Sequence, residues 1–469
     1  MSPFTTAGTA FDAVPALAPD RAHPYWTFER VAQALGTGPA MPNALAGIST
    51  DTRQIARGDL FVALRGDRFD AHDFLAAAKA AGAAAFVVSD ASRAVGLGVP
   101  TYVVPDTLVA LGQLATAWRK AWGRTVIAVA GSNGKTSTKE LLKAALGRTL
   151  HVYATPGNLN NAVGVPLTLL GIPSEADVAV VEVGTSAPGE VTALRAIAGP
   201  DVAVLTSIGE EHLEGLGDLA GVLREECDIF HGVTLAVVPA AHPEVLPLAH
   251  TRAQAVIAAG LTGSGQVPEA WGLDAEGRPW LEVDGTRFAL TVRGAHQAAN
   301  AMLAIATARA CGVPLTDAAA GLAEMPVPGM RGTWEPVGDA ILLNDAYNAN
   351  PASMRAAITL LGDVGQGRQR VMILGSMREL GAGAAQLHRD IARCALDSPA
   401  ELVVGVGAFA DALEALAPGN PRVVTSTDLD TLWAQLEPRL DRRAVILLKA
   451  SRGMRLEQLV PAITAWATA

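Results

Sequence analysis

Short apolar runs bounded by Gly, Pro and Asp recur along this chain, separated by stretches of helical spacing. Across residues 25–106 the runs GISTDTR, GDLFVALRG and AAFVV flank a helical stretch at 72–81, which reads as a small α/β unit. The segment TLVALGQLATAWRKAW, residues 107–122, keeps a helical period with few breakers and is expected to link this unit to the next. TVIAVA at 125–130 has the character of a buried strand, and a Gly-rich turn and a helix from about Thr136 follow it. Beyond it ADVAVVEVG, DVAVLTSIG, TLAVVPA and AQAVIAAG alternate with helical segments, the pattern of parallel strands with crossover helices. The cluster MPVPGMRG at 325–332 signals an interdomain linker. After it AILLNDAY, RVMILGS, ELVVGVGA and AVILLKAS alternate with Ala/Leu-rich helices, so a second open α/β sheet is expected. The expected fold class is α/β in three domains, 25–106, 107–326 and 327–469, after a flexible leader at 1–24.

Composition narrows the partners. Half of the 469 residues are hydrophobic and only 17% are charged, enough to bury several cores and contrary to disorder. The net charge of −10 speaks against nonspecific nucleic-acid binding, although a local cluster of donors can still hold an anionic small molecule. No apolar run reaches the roughly 18 residues of a membrane span. The N-terminus lacks the basic start of a signal peptide. Cys227, Cys311 and Cys394 are far apart with no CxxC pair, as expected of free thiols in a reducing cytoplasm.

The sharpest local signal is Gly131-Ser132-Asn133-Gly134-Lys135-Thr136-Ser137, between a strand and a helix. In that context backbone N–H groups cradle phosphate, and the helix dipole adds to the attraction. Lys135 would neutralise the β/γ-phosphates, and the Thr136 hydroxyl could coordinate Mg²⁺. The spacing GxxGKT is two residues shorter than the common phosphate loop, so a plain Gly-rich turn is the alternative.

This short loop resembles that of the Mur ligases and folylpolyglutamate synthetases, and further segments agree in order. Thr155-Pro156-Gly157-Asn158-Leu159-Asn160-Asn161 is similar to the family's Asn-rich loop, and Glu182-Val183-Gly184 to its metal-binding glutamate. His212-Leu213-Glu214-Gly215 resembles its His-containing loop, and Gly294-Ala295-His296-Gln297-Ala298-Ala299-Asn300 the helix start whose Asn faces adenine. Asp345-Ala346-Tyr347-Asn348-Ala349-Asn350-Pro351-Ala352-Ser353-Met354 resembles the DSYNANPxSM signature of the D-alanyl-D-alanine-adding members. Leu374-Gly375-Ser376-Met377-Arg378-Glu379-Leu380-Gly381 and Lys449-Ala450-Ser451-Arg452 are similar to their LGDMxELG and KGSR segments. Asp51-Thr52-Arg53 and Gly58-Asp59-Leu60-Phe61 resemble the uridine-binding front domain.

The resemblance implies a small uridine-nucleotide-binding α/β domain, a central ATPase-like parallel sheet and a Rossmann-like last domain. It implies a ligase that uses ATP and Mg²⁺, with two ions expected, to join D-alanyl-D-alanine to UDP-N-acetylmuramoyl-tripeptide through an acyl phosphate. A cytoplasmic monomer without a membrane span or nucleic-acid partner is expected. Lys135, Glu182, His212 and Arg331 are then the expected catalytic residues, Arg331 reaching the γ-phosphate from the linker. The 131–137 loop, Asn300, Asp345 and Tyr347 would hold the nucleotide. Thr136, Glu182, His212 and Glu226 would attend the metal. The substrates would be met by Thr52, Arg53, His72, Asn158, Asn160, Asn161, Asn348, Asn350, Lys449, Ser451 and Arg452, with an Asx-turn cluster as the alternative for 158–161. Four positions depart from the pattern: Ala346, Ser376, Ala450, and Glu226 where many relatives carry a lysine modified to a carbamate. Glu226 keeps a carboxylate there and is expected to reach the metal through a water. The rival readings are a related ligase adding a different amino acid and a nucleotide-binding paralogue without catalysis.

Overall fold

Val, Ile and Ala runs supply the strands of three mainly parallel sheets in a computed structural model that describes residues 25–66, 69–327, 329 and 332–469. The expected leader at 1–24 and Arg331 lie outside the described residues. The front sheet orders Ile48–Ser49, Leu60–Val62, Ala85–Val88 and Thr101–Val103. The single helix expected at 72–81 is a 3-10 turn, Ala71–Phe74, followed by the helix Leu75–Ala81. Asp70 caps that turn by accepting from His72 N.

The linking helix Thr107–Trp122 begins at Asp106, whose carboxylate accepts from Leu108 N and Val109 N, and ends at Gly123 in the left-handed region. It is more than a connector. Leu111, Leu114 and Trp118 belong to one continuous core with Trp26, Phe28 and Tyr102 in front and Val126, Ala128 and Val181 behind. Arg119 ties the same helix to the middle domain through Asp201 at 2.8 Å and the Ala198 carbonyl at 3.1 Å. The expected boundary at 106 is therefore a change of topology within one packed core.

The middle sheet runs Ala255–Ala259, Leu235–Pro239, Val202–Leu205, Thr125–Ala130, Val178–Glu182, Val152–Ala154, all parallel. Its central strands are buried on both faces, hence their unbroken apolar runs. Thr125–Ala130 continues in sequence to the far edge at Val152–Ala154, while its other neighbour, Val202–Leu205, leads away on the opposite side. The loop after Ala130 thus opens at a crevice beyond the strand ends, where ligands of such sheets collect.

A three-stranded antiparallel sheet, Ala270–Leu273, Pro279–Val283 and Thr286–Ala289, was not expected from the chain's mostly parallel pattern. Its signal is Asp284-Gly285, with φ 47° and 71°, the left-handed pair that closes a two-residue hairpin. The last sheet orders Thr333–Val337, Ala340–Asp345, Val445–Lys449, Arg370–Gly375, Leu402–Val406 and Val423–Ser426, parallel except for its first strand. Two clusters, one on each face, fill its core, and both consist of residues beyond 333. Among the described residues no helix is long and apolar enough to cross a membrane.

Candidate active site

Two glycines shape the loop after Thr125–Ala130. At Gly131, φ is 118° and a Cβ would lie 2.4 Å from Thr206 Oγ1. At Gly134, φ is 86° and a Cβ would lie 2.8 Å from Asn300 Nδ2. No other residue type fits either place without displacing its neighbours. The loop is pinned from the adjacent strand end: Ser132 N donates to the Ser207 carbonyl and Asn133 N to Ser207 Oγ, both at 2.9 Å. The helix Lys135–Leu146 then starts without a side-chain cap, leaving its first N–H groups to meet an anion.

Lys135 folds back over this loop, donating to the Gly131 carbonyl at 2.6 Å and approaching Glu211 Oε1 at 3.4 Å. Burial works against its charge, but Glu211, Glu226 and Glu182 outweigh that and hold it above the ordinary lysine value. Burial wins at Glu211, whose carboxyl is raised despite Lys135 beside it.

Glu182, at the end of its strand, accepts from Thr136 Oγ1 at 2.9 Å and from Asn160 Nδ2 at 2.8 Å. Among the described residues no group of three or more His, Cys, Asp or Glu side chains is placed to hold a metal ion. The Thr136–Glu182 pair offers two hard oxygens beside the phosphate loop. That suits a small divalent cation which takes one or two protein oxygens and completes its shell with waters and phosphate.

Among the described residues His212 and Glu226 are not assembled with Glu182 into one direct ligand group. Glu226 is fully buried behind the loop and outside the cleft lining, with Oε2 accepting from Gly131 N at 2.8 Å. Its Oε1 has no hydrogen-bond partner, and burial pushes the carboxyl up to about 7 against the pull of Lys135. His212 lies at the cleft, with Nδ1 2.5 Å from Glu379 Oε2 of the last domain.

The last domain faces the loop across a cleft of about 1520 Å³ that all three domains line. Lys449, at the end of Val445–Lys449, donates to Asp345 Oδ2 at 2.5 Å and to the Asn348 carbonyl at 3.1 Å. Tyr347, Arg378, Ser451 and Arg452 line the same side. Asn300 lies against Gly134 and donates to Gln297 Oε1 at 3.4 Å, and Gln297 donates to Ser137 Oγ at 3.3 Å. The structure thus brings Lys135, Thr136, Ser137, Glu182, His212, Asn300, Asp345 and Tyr347 into one cleft.

Several expected substrate residues are engaged within the protein, and of these Asn161, Asn348, Asn350 and Ser451 also line the cleft. Asn350 caps the helix Pro351–Val364 in a reciprocal pair with Ser353, and Asn161 Oδ1 accepts from Val163 N and Gly164 N. Asn348 Oδ1 accepts from Ala349 N, and Ser451 Oγ accepts from Arg378 N. His72 is buried outside the cleft lining, with Nδ1 on Asp70 at 2.6 Å and Nε2 accepting from Ser89 N at 2.9 Å, so both ring nitrogens are engaged. Thr52 and Arg53 also fall outside the cleft lining, Arg53 paired with Asp51 at 2.6 Å. The front domain reaches the cleft through Leu64, Arg65 and Gly66 instead. Asn158 remains exposed at the cleft. Glu211, Gln297 and Glu379 went unassigned in the sequence, although each adjoins or lies within a motif segment quoted above.

Comparison with known proteins gives these segments a common setting. Residues 129–308 match the Mur ligase middle domain, 332–452 the Mur ligase glutamate ligase domain, and 44–119 the catalytic domain of the Mur ligase family. The chain is 35% identical over 430 residues to the UDP-N-acetylmuramoyl-tripeptide–D-alanyl-D-alanine ligase of Bacillus subtilis, covering 88% of this chain and 92% of the relative. It is 35% identical over 439 residues to the protein of that name from Escherichia coli, covering 89% and 94%. It superposes on MurF from Acinetobacter baumannii with a TM-score of 0.85 at 31% identity, covering 94% of this chain and 99% of that one. With MurF from Thermotoga maritima in complex with ADP the TM-score is 0.80 at 25% identity, covering 90% and 98%.

Proposed function

The chain belongs to the Mur ligase family, and from that premise we infer that it joins D-alanyl-D-alanine to UDP-N-acetylmuramoyl-tripeptide, converting ATP to ADP and phosphate. The observation that carries the reading is the meeting, across one cleft, of the 131–137 phosphate loop with the Asp345–Asn348 segment of the last domain. Neither half alone would bind a nucleotide and present a second substrate to it.

On this reading the loop N–H groups and Lys135 hold the phosphates, and Asn300 meets the adenine edge. The tripeptide carboxylate takes the γ-phosphoryl group to give an acyl phosphate. The dipeptide amine then attacks that carbonyl, phosphate leaves, and an amide remains. Little covalent work falls to the protein, so positioning and charge neutralisation account for most of the rate. Mg²⁺ held by Thr136 and Glu182 would neutralise charge on the phosphate oxygens. Arg452 and Arg378 bring positive charge to the last domain's side of the cleft, suited to the dipeptide carboxylate. We place the reaction in the cytoplasm, where ATP and the UDP-linked substrate are available.

The test is ADP release from the full chain with UDP-muramoyl-tripeptide, with and without D-alanyl-D-alanine. Release that needs both substrates, with the pentapeptide product identified by mass, is the expected result. Equal ADP release without the dipeptide would refute the assignment.

A further inference from the structure

One contact joins the middle and last domains beside the phosphate loop, and neither partner sits there cheaply. His212 has φ 50° and Glu379 has φ 63°, both left-handed and neither glycine. Such backbone is costly for a residue with a Cβ and persists where the surrounding structure demands it. The two residues face each other across the seam. His212 Nδ1 lies 2.5 Å from Glu379 Oε2, and Glu214 N donates to the Glu379 carbonyl at 3.3 Å. Side chain and backbone of one last-domain residue therefore engage two residues of the middle-domain loop, His212 and Glu214. The loop in turn touches the chemistry, because Glu211, next to His212, approaches Lys135.

We propose that Glu379 is a positioning residue: from the last domain it fixes the ring of His212 beside the phosphate loop, so the site is complete only when the two domains meet there. What Nδ1 donates to decides where Nε2 points and which tautomer it carries. Without Glu379 the His212 ring is free to turn, and no other partner for its Nδ1 exists among the described contacts. The proposal rests on the ligase reading for its kinetic arm alone.

Two variants of the full chain test it. Glu379→Gly removes the carboxylate and suits the left-handed backbone, so folding is not threatened. Glu379→Gln keeps an oxygen that can accept from Nδ1–H. Losing a hydrogen bond to a charged group corresponds to roughly a ten- to hundredfold effect. Glu379→Gly is expected to lower kcat by about that factor. ADP affinity measured by calorimetry should stay within about threefold, because the contacts of Glu379 fall on His212 and Glu214 and not on the loop, Asn300, Asp345 or Tyr347. Glu379→Gln should recover most of kcat. Parental kcat in Glu379→Gly, equal losses in both variants, or matching losses of kcat and ADP affinity would each overturn the proposal. A second arm needs no turnover. In spectra of ¹⁵N-histidine-labelled protein, with His212 assigned through His212→Gln, its Nδ1 resonance should be that of a donor and should shift in Glu379→Gly. An unshifted resonance would reject the positioning role even if the chain proves not to be this ligase.

Discussion

At the scale of single residues, Glu226 shows how burial turns a carboxylate into a pH-sensitive component of stability. Its carboxyl is pushed from 4.5 to about 7. Between those values the folded chain holds a proton that the unfolded chain has released. This contribution to stability is therefore full below about 4.5 and is lost as pH rises through about 7. The displacement corresponds to roughly 3 kcal/mol. Glu226→Gln retains an acceptor for Gly131 N and removes the charge. Its melting temperature should match the parent at pH 5 and exceed it at pH 8; a variant less stable than the parent at pH 8 would contradict this account. The sequence showed that a carboxylate stands here but not its direction. Counting along the helix fixed the position, whereas only packing shows that it turns toward the back of the loop. His72 illustrates the same limit, since nothing in its neighbourhood of the sequence announces the partner at Ser89.

At the scale of elements, strands and helices were legible where periodicity was strong. Thr107–Trp122 and Thr125–Ala130 fall where the pattern placed them, because a long helical period and a short run of β-branched residues and alanine leave few alternatives. The hairpin sheet at 270–289 is hard to read because its strands are only four or five residues long and one of them opens with proline, leaving Asp284-Gly285 as the main clue. Motif segments revealed composition better than roles. The Asn350-Pro351-Ala352-Ser353 run reads as ligand-binding in a signature, lines the cleft and also folds as a capping box. Asn350→Ala should cost about 1 kcal/mol of the last domain's stability, seen as a lower melting temperature. Asn350→Ser, still a good cap, should restore it. Failure of serine to restore stability would show that Asn350 does something besides capping.

At the scale of the whole molecule, the parallel sheets place their strand ends toward a common cleft, and this follows from chain order more than from any one residue. Pro and Gly punctuate the sequence at 325–332, whereas the packing shared across residue 106 leaves no mark in local composition. Core continuity has a consequence for how the chain comes apart. The front and middle portions each bury one cluster of their own and share another through Thr107–Trp122, whereas the last portion fills both faces of its sheet from its own residues. Three units of topology are therefore expected to unfold as two cooperative units. A fragment spanning 332–469 should fold alone, whereas one spanning 25–106 should not, as circular dichroism and amide exchange would report. A folded 25–106 fragment would show that the shared core is dispensable. In an exchange experiment between relatives, the last portion is the piece that could be traded whole, while a graft cut at 106 would have to bring its half of the core with it.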